Sequence, residues 1–266
     1  MTVRGGAAAV AVVMCVIVAG CGRSADQTDQ TATAPESTTG PASSSSAVNP
    51  GPAEPAPGTA PPAFGFVPEL AEAKGMEGTV TYDVHLPQLS GGADAVRDRF
   101  NAGTRAALRD LIENLPGPNK DLTASINDGD VGPGPETTRV AVIGPHVVGG
   151  IQVYLWYAGG AAHPNVTVST TVINSDTAQP ITYDDLFPNQ YSAMERLRQV
   201  LPGLDPSGRV RPDTVNVRLE QWLPAPTGLR FYVPVSHAAG DFVPITVPWD
   251  GIRDLVDPKI VPVLSP

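Results

Sequence analysis

Histidine, aspartate and serine are the side chains in this sequence whose chemistry suits hydrolysis. A serine hydrolase needs a nucleophile, a base within hydrogen-bonding reach, and an acid that orients the base. The candidate side chains are His163, Asp184, Asp185, Ser169 and Ser236. No G-x-S-x-G motif occurs, and Ser236 and His237, as neighbours in a strand, would point to opposite faces. A serine esterase is therefore the alternative hypothesis, and we assign no catalytic residue.

Metal and cofactor chemistry has less support than hydrolysis. The four histidines, at positions 85, 146, 163 and 237, are widely separated and include no i, i+4 pair. Helical metal sites commonly use such a pair, so we expect no metal and no cofactor. The adjacent Asp184 and Asp185 look like paired catalytic carboxylates. Such pairs more often cap a helix or fix a turn.

The segment YAGGAAHPN, residues 157–165, joins two runs of strand-forming residues. One hypothesis is a tight connection, in which glycines supply positive φ and Pro164 holds the preceding histidine extended. The other hypothesis is a rim that contacts a ligand. Its candidate residues are Gly159, Gly160, His163, Asn165, Asp184 and Asp185. The sequence leaves both hypotheses open.

Hydrophobic periodicity predicts the elements that would position these residues. The predicted strands are 78–86, 137–144, 150–159, 165–174, 229–235 and 242–248. The predicted helices are 93–115, 190–201, 213–223 and 249–256, and residues 120–135 are predicted mostly as loop. Strands outnumber helices and occur in consecutive runs. We therefore predict an α+β domain, with a mostly antiparallel or mixed sheet and helices packed on one face.

The first residues of the chain predict where the protein resides. Arg4 precedes an apolar run, Ala7–Val18, that is shorter than the roughly 20 residues needed to cross a bilayer. Residues 1–20 are therefore predicted to be a signal peptide. The following VAGC, ending at Cys21, resembles the lipobox of bacterial lipoproteins. This resemblance implies that acyl chains on Cys21 anchor the protein to the extracytoplasmic face of the cell membrane.

Cysteine usage and composition divide the rest of the chain. The other cysteine, Cys15, lies in the leader, so no disulfide or cysteine-ligated metal is expected in the mature protein. Residues 21–63 are rich in Ser, Thr, Pro and Ala and contain too little apolar surface to fold, which predicts a disordered tether. Residues 64–266 are predicted to form a single domain.

The charge of that domain limits its partners. Of 17 Lys and Arg and 27 Asp and Glu in the chain, two and four precede residue 64, which leaves a net charge of −8 in residues 64–266. An acidic domain without a basic run is unsuited to nucleic acid. A cationic partner is favoured instead.

Four segments together carry a resemblance to a known family. They are VTYDVHLPQLSG before the first predicted helix, YAGGAAHPN, NSDTAQPITYDDLF, and the pair of strands in GLRFYVPVSHAAGDFVPITVPWDGI. Their order and spacing resemble the extracytoplasmic domain of RsiV-type anti-sigma factors. The same domain precedes some peptidoglycan deacetylases and forms a family of mycobacterial secreted antigens. The resemblance covers roughly residues 76–257.

The resemblance implies a binding function. RsiV-type proteins bind lysozyme with this domain, so a non-catalytic binding or sensing module for an envelope ligand is expected here. The ligand implied is a basic protein such as lysozyme, or a peptidoglycan fragment. We expect the module alone, without the sigma-factor-binding segment or the deacetylase domain of its relatives.

The lipid anchor is testable by one substitution. Cys21→Ala should abolish incorporation of a labelled fatty acid, because the acyl chains have no other cysteine in the mature chain. Membrane fractionation should then show unprocessed precursor or released protein. A Cys21→Ala protein that stays on the membrane after leader cleavage would contradict the prediction.

Overall fold

The computed structural model describes residues 57–115, 121–132, 134 and 136–265. The predicted leader, Cys21 and most of the predicted tether lie outside the described residues. Just before residue 64, the Ala60 amide donates to the Val140 carbonyl at 3.0 Å, and Ala63 pairs with Phe66. The tether–domain boundary at residue 64 stays a prediction.

The described residues form ten strands and five α-helices. The strands are β1 (Phe66–Glu77), β2 (Val80–Gly91), β3 (Ala124–Asp128), β4 (Arg139–Ile143), β5 (Val147–Ala158), β6 (Asn165–Asn174), β7 (Gln179–Pro180), β8 (Trp222–Ala225), β9 (Gly228–Pro234) and β10 (Phe242–Pro248). The helices are α1 (Asp94–Asn114), α2 (Tyr183–Leu186), α3 (Gln190–Leu204), α4 (Trp249–Ile252) and α5 (Val261–Leu264).

Seven of these strands form one large mixed sheet. Its order is β1-β2-β3-β5-β6-β7, and β4 also pairs with β5. The β2–β3 pairing is parallel and the others are antiparallel. The predicted α+β class with a mixed sheet is confirmed.

Helix α1 covers one face of the large sheet. Its apolar residues recur at three- and four-residue spacing, which builds a single buried stripe. Phe100 packs with Val148 and Ile173 of the sheet, while Leu108 and Ile112 pack with residues of β2 and with Tyr154. In β5, the even-numbered residues therefore face α1.

The opposite face carries a second sheet that the sequence did not predict as separate. Strands β8, β9 and β10 pair in the order β10-β9-β8, and α3 packs beside them. Ile151 and Val153 of β5 are buried in one cluster with Phe231 of β9 and Ile245 of β10. The odd-numbered residues of β5 therefore face the small sheet.

A buried carboxylate joins the two sheets. Glu136, which is 1% exposed, accepts hydrogen bonds from Arg230 Nε at 2.8 Å and from Arg139 Nη2 at 2.9 Å. The Tyr232 hydroxyl donates to the same carboxylate at 2.8 Å. Burial raises the pKa of Tyr232, so its phenol stays protonated as a donor. Arg139 belongs to β4, and Arg230 and Tyr232 belong to β9.

Two sequence predictions about elements were wrong. The segment 213–223 is a turn followed by irregular chain that leads into β8, and the Gln221 carbonyl accepts a hydrogen bond from the Tyr232 amide of β9. Its β-branched Val215 and Val217 also disfavour a helix. The helix predicted at 249–256 ends at Ile252. The region 120–135, predicted mostly as loop, also contains the short strand β3. Strand β1 was not predicted, because charged and small residues interrupt its apolar alternation.

No helix in the described part of the chain is both long and apolar enough to span a membrane.

The buried carboxylate predicts a large stability effect. Glu136→Gln should lower the free energy of unfolding by about 3–5 kcal/mol, because two buried arginines lose their counter-charge. Urea denaturation measures the change. The control is Glu113→Gln on the exposed side of α1, expected to change stability by less than about 0.5 kcal/mol. Equal effects of the two substitutions would contradict this role for Glu136.

Candidate functional site

Part of the large sheet has no covering layer among the residues that the structure describes. Leu155 and Tyr157 lie on the same face of β5 as the buried Ile151 and Val153, yet they are 37% and 41% exposed. The small sheet covers the first half of β5 and does not reach its last residues. Two large apolar side chains therefore face solvent at the centre of a sheet.

The strands beside β5 extend this uncovered surface. Pairing places Asn127 opposite Leu155 and Ser125 opposite Tyr157, and places Asp83 and Thr81 of β2 beside those β3 residues. Their side chains share one face because directly paired residues point the same way. We define the open face as Thr81, Asp83, Ser125, Asn127, Leu155 and Tyr157.

The border of the open face is acidic. Asp83 is itself part of the open face. Glu72 of β1 lies opposite His85 in the antiparallel β1–β2 register, and Asp128 follows Asn127 at the end of β3. Lys74 offsets one of these charges through its ion pair with Asp83. Three carboxylates against one ammonium leave an excess of negative charge when His85 is neutral.

His85 is the group of this border whose charge changes near neutral pH. Its Nδ1 lies 2.6 Å from Asp128 Oδ2, and its backbone amide donates to Asp128 Oδ1 at 2.9 Å. The hydrogen bond that the His85 ring donates to the Asp128 carboxylate raises the pKa of His85 above 6.5. Burial opposes this rise, and the charges of Asp128, Glu72 and Asp83 add to it. Protonation of His85 thus reduces the negative charge of the border.

The loop YAGGAAHPN is a tight connection next to the open face. The Gly159 amide donates to the Thr123 carbonyl at 2.7 Å, and a Cβ at Gly159 would lie 2.8 Å from Thr123 Oγ1. Gly160 has a φ of +86°, which favours glycine. The Tyr157 hydroxyl donates to the Ala161 carbonyl at 3.0 Å. An open-face residue therefore holds the loop.

His163 meets a residue that the sequence did not connect to it. Its ring stacks on that of His237 with centroids 3.6 Å apart and planes at 4°. His237 Nδ1 lies 3.0 Å from Asp241 Oδ1, and Asp241 Oδ2 accepts the Val166 amide at 2.9 Å. Asn165 Nδ2 is 3.5 Å from the His163 carbonyl. These contacts bind the β5–β6 loop to the β9–β10 loop.

This arrangement offers little to the serine-hydrolase hypothesis. His163 Nδ1 lies 3.0 Å from the Pro164 carbonyl, and His237 is directed to Asp241. Among the described residues, no hydrogen bond joins either imidazole to Ser169 or Ser236. The described residues also contain no group of three or more His, Cys, Asp or Glu positioned to hold a metal ion.

The two predicted aspartates sit on a different segment. Asp185 forms a capping box with Thr182 at the start of α2, and its Oδ2 accepts the Thr182 amide at 2.8 Å. Asp184 pairs with Arg218 and accepts Gln190 Nε2 at 2.7 Å. Asp185 thus has the capping role that adjacent aspartates commonly take.

The two halves of the predicted rim have no direct contact in the described structure. Just before α2, the Ile181 amide donates a hydrogen bond to the Val172 carbonyl. Val172 lies roughly 20 Å from Asn165 along strand β6. No hydrogen bond or ion pair joins residues 159–165 to Asp184 or Asp185 in the described parts of the chain. Ligand contact by each half stays a prediction.

Comparison with known proteins identifies similar folds. No protein-family model and no curated protein sequence matches the chain. A DUF3298 family member from Bacteroides fragilis is similar over 74% of this chain and 94% of its own, with a TM-score of 0.48 and 13% identity. A DUF3298 family protein from Pseudomonas aeruginosa is similar over 77% and 98%, with a TM-score of 0.49 and 11% identity. Similarity at this level does not identify a ligand or an activity.

The border charge predicts a measurable titration. Asp128→Asn should lower the pKa of His85 toward 6.5, as followed by NMR of the imidazole protons. Because folding raises this pKa, any stability from the pair is present below about pH 6.5 and is lost as pH rises through the pKa of folded His85.

The control for this titration is Asp213→Asn, which removes an exposed carboxylate paired with Arg211 and should leave the pKa of His85 unchanged. A His85 pKa that does not respond to Asp128→Asn would contradict the ion pair.

Proposed function

We propose that the protein is a lipid-anchored binding domain of the cell envelope, non-catalytic in itself, whose open face binds a cationic protein such as a lysozyme. The observation that carries the proposal is the open face, where Leu155 and Tyr157 are exposed inside an acidic border. The resemblance to RsiV-type domains and the lipobox at Cys21 support the ligand class and the anchor.

The apolar centre suits a protein interface. Tyrosine is enriched among the residues that contribute most to binding, because it offers a large and rigid contact area. Tyr157 is also held by its bond to the Ala161 carbonyl, so little side-chain freedom is lost when a partner covers it. The neighbouring Ser125, Asn127 and Thr81 supply hydrogen-bonding groups around this centre.

The acidic border suits a basic partner. Its excess of negative charge has the sign of the whole domain, whose net charge is −8 over residues 64–266. Such a field mainly accelerates association, and salt screens it over about 10 Å at 0.1 M. The loop of Gly159, Gly160, His163 and Asn165 lies at the edge of the same surface and extends the proposed contact.

Calorimetry with a lysozyme tests this proposal on the full-length chain. Tyr157→Ser should weaken binding by at least about tenfold, because it removes the central aromatic contact. The matched control is Tyr191→Ser, since Tyr191 on α3 is 73% exposed and lies off the open face. Melting temperatures of both variants should stay near that of the unsubstituted protein.

The outcomes separate the partners. Binding should weaken as salt rises from about 0.01 M to 0.15 M. Heat with soluble muropeptides and none with a lysozyme would assign a glycan ligand instead. An absence of heat with both would overturn the proposal. Equal losses in the Tyr157→Ser and Tyr191→Ser proteins would reject the open face as the contact surface.

A further inference from the structure

A cleft lies on the other face of the large sheet, between α1 and the edge strand β1. Three of the β1 residues that point toward α1 are small: Ala71, Ala73 and Gly75, paired with Leu86, Val84 and Tyr82 of β2. Helix α1 packs over β2. The Tyr82 ring lies over Gly75, whereas the small Ala73 side chain leaves space beside the helix. The cleft has a volume of about 200 Å³.

The lining of the cleft divides into an apolar floor and a charged margin. The floor is formed by Ala73, Leu86, Leu108 and Ile112. The margin is formed by Glu77, Tyr82, Arg105 and Arg109. Residues four apart on a helix are neighbours on its surface. On the surface of α1, Arg105 and Arg109 therefore form one row, and Leu108 and Ile112 form a second row next to it.

Two of the charged groups have no internal partner. Arg105 donates to Gln88 Oε1 at 2.8 Å and is therefore held in place. The side chains of Glu77 and Arg109 make no ion pair or hydrogen bond with any described residue. Opposite charges without partners thus line one cleft above an apolar floor.

We propose that this cleft binds a free amino acid with an apolar side chain. The guanidinium of Arg109, with Arg105 beside it, would receive the α-carboxylate, and Glu77 would receive the α-ammonium. The side chain would rest on Leu108 and Ile112. A simple anion would be repelled by Glu77, and a simple cation by the two arginines, whereas a zwitterion complements both.

The size of the cleft agrees with a ligand this small. Its volume is below the about 300–1,000 Å³ of pockets that hold drug-sized molecules. Within a peptide, a terminal residue carries only one of the two charges on its α-carbon. The site would therefore distinguish a free amino acid from the end of a peptide. The inference is independent of the open face, which lies on the opposite side of the sheet.

Titration of the full-length chain with leucine and two capped analogues tests the inference. N-Acetylleucine lacks the ammonium and leucinamide lacks the carboxylate. Each analogue should bind at least about tenfold more weakly than leucine, because one charged side chain of the cleft then lacks its partner in the complex. Glycine should also bind more weakly than leucine, because it leaves the apolar floor exposed. Calorimetry and amide chemical shifts of α1 residues give the affinities.

Substitutions place the binding in this cleft. Arg109→Gln and Glu77→Gln should each weaken leucine binding by at least about tenfold, while Arg99→Gln should leave it unchanged. Arg99 is the matched control because it is exposed on α1 and does not line the cleft. All three substituted positions are exposed, so the variants should fold. Their melting temperatures provide the check.

Three results would overturn the inference. The first is no detectable binding of leucine at concentrations up to about 10 mM, at which a specific site for an amino acid would be occupied. The second is equal affinity for leucine and N-acetylleucine together with an unaffected Glu77→Gln protein, which would mean that the ammonium is not recognised. Loss of binding in the Arg99→Gln protein would likewise reject the cleft as the site.

Discussion

The buried carboxylate of Glu136 fixes how the two sheets meet. It is shared by Arg139 of the large sheet and by Arg230 and Tyr232 of the small sheet, so sliding one sheet over the other would leave buried charges without partners. Apolar packing alone tolerates several registers, whereas a buried ion pair with defined geometry penalises all but one. The position of the small sheet in turn determines where its cover ends, and so exposes Leu155 and Tyr157.

The pattern of apolar residues located the most regular elements. Helix α1 and strands β5 and β6 were predicted close to their observed bounds, because α1 and β6 are regular runs bounded by turn residues and β5 is a nearly continuous apolar run buried on both faces. The helix predicted at 213–223 failed for an instructive reason. Val215 and Leu219 are buried at helical spacing, but in irregular chain that packs in the main core. Spacing alone does not separate these cases, because an irregular segment held by tertiary contacts can bury the same positions.

The candidate site was only partly accessible from sequence. The strand predicted at 150–159 carries apolar residues at both odd and even positions, a pattern typical of a strand that is covered on both faces. Exposure of Leu155 and Tyr157 depends on the width of the small sheet, which no local pattern encodes. The polar residues Ser125 and Asn127 on the neighbouring strand were the available signal, but β3 was predicted as loop. The stack of His163 on His237 joins loops 74 positions apart and is equally invisible to local pattern.

Both surfaces to which we assign ligands have the same structural cause. A seven-stranded sheet is wider than either layer that packs on it, so each face is covered only in part by the described residues. On the face of the small sheet, the large apolar side chains of Leu155 and Tyr157 form an open surface that suits a macromolecule. On the face of α1, the small Ala73 side chain of β1 borders a recess whose size suits a small molecule. Side-chain size at the uncovered positions, rather than the fold itself, therefore sets the class of ligand that each face can bind.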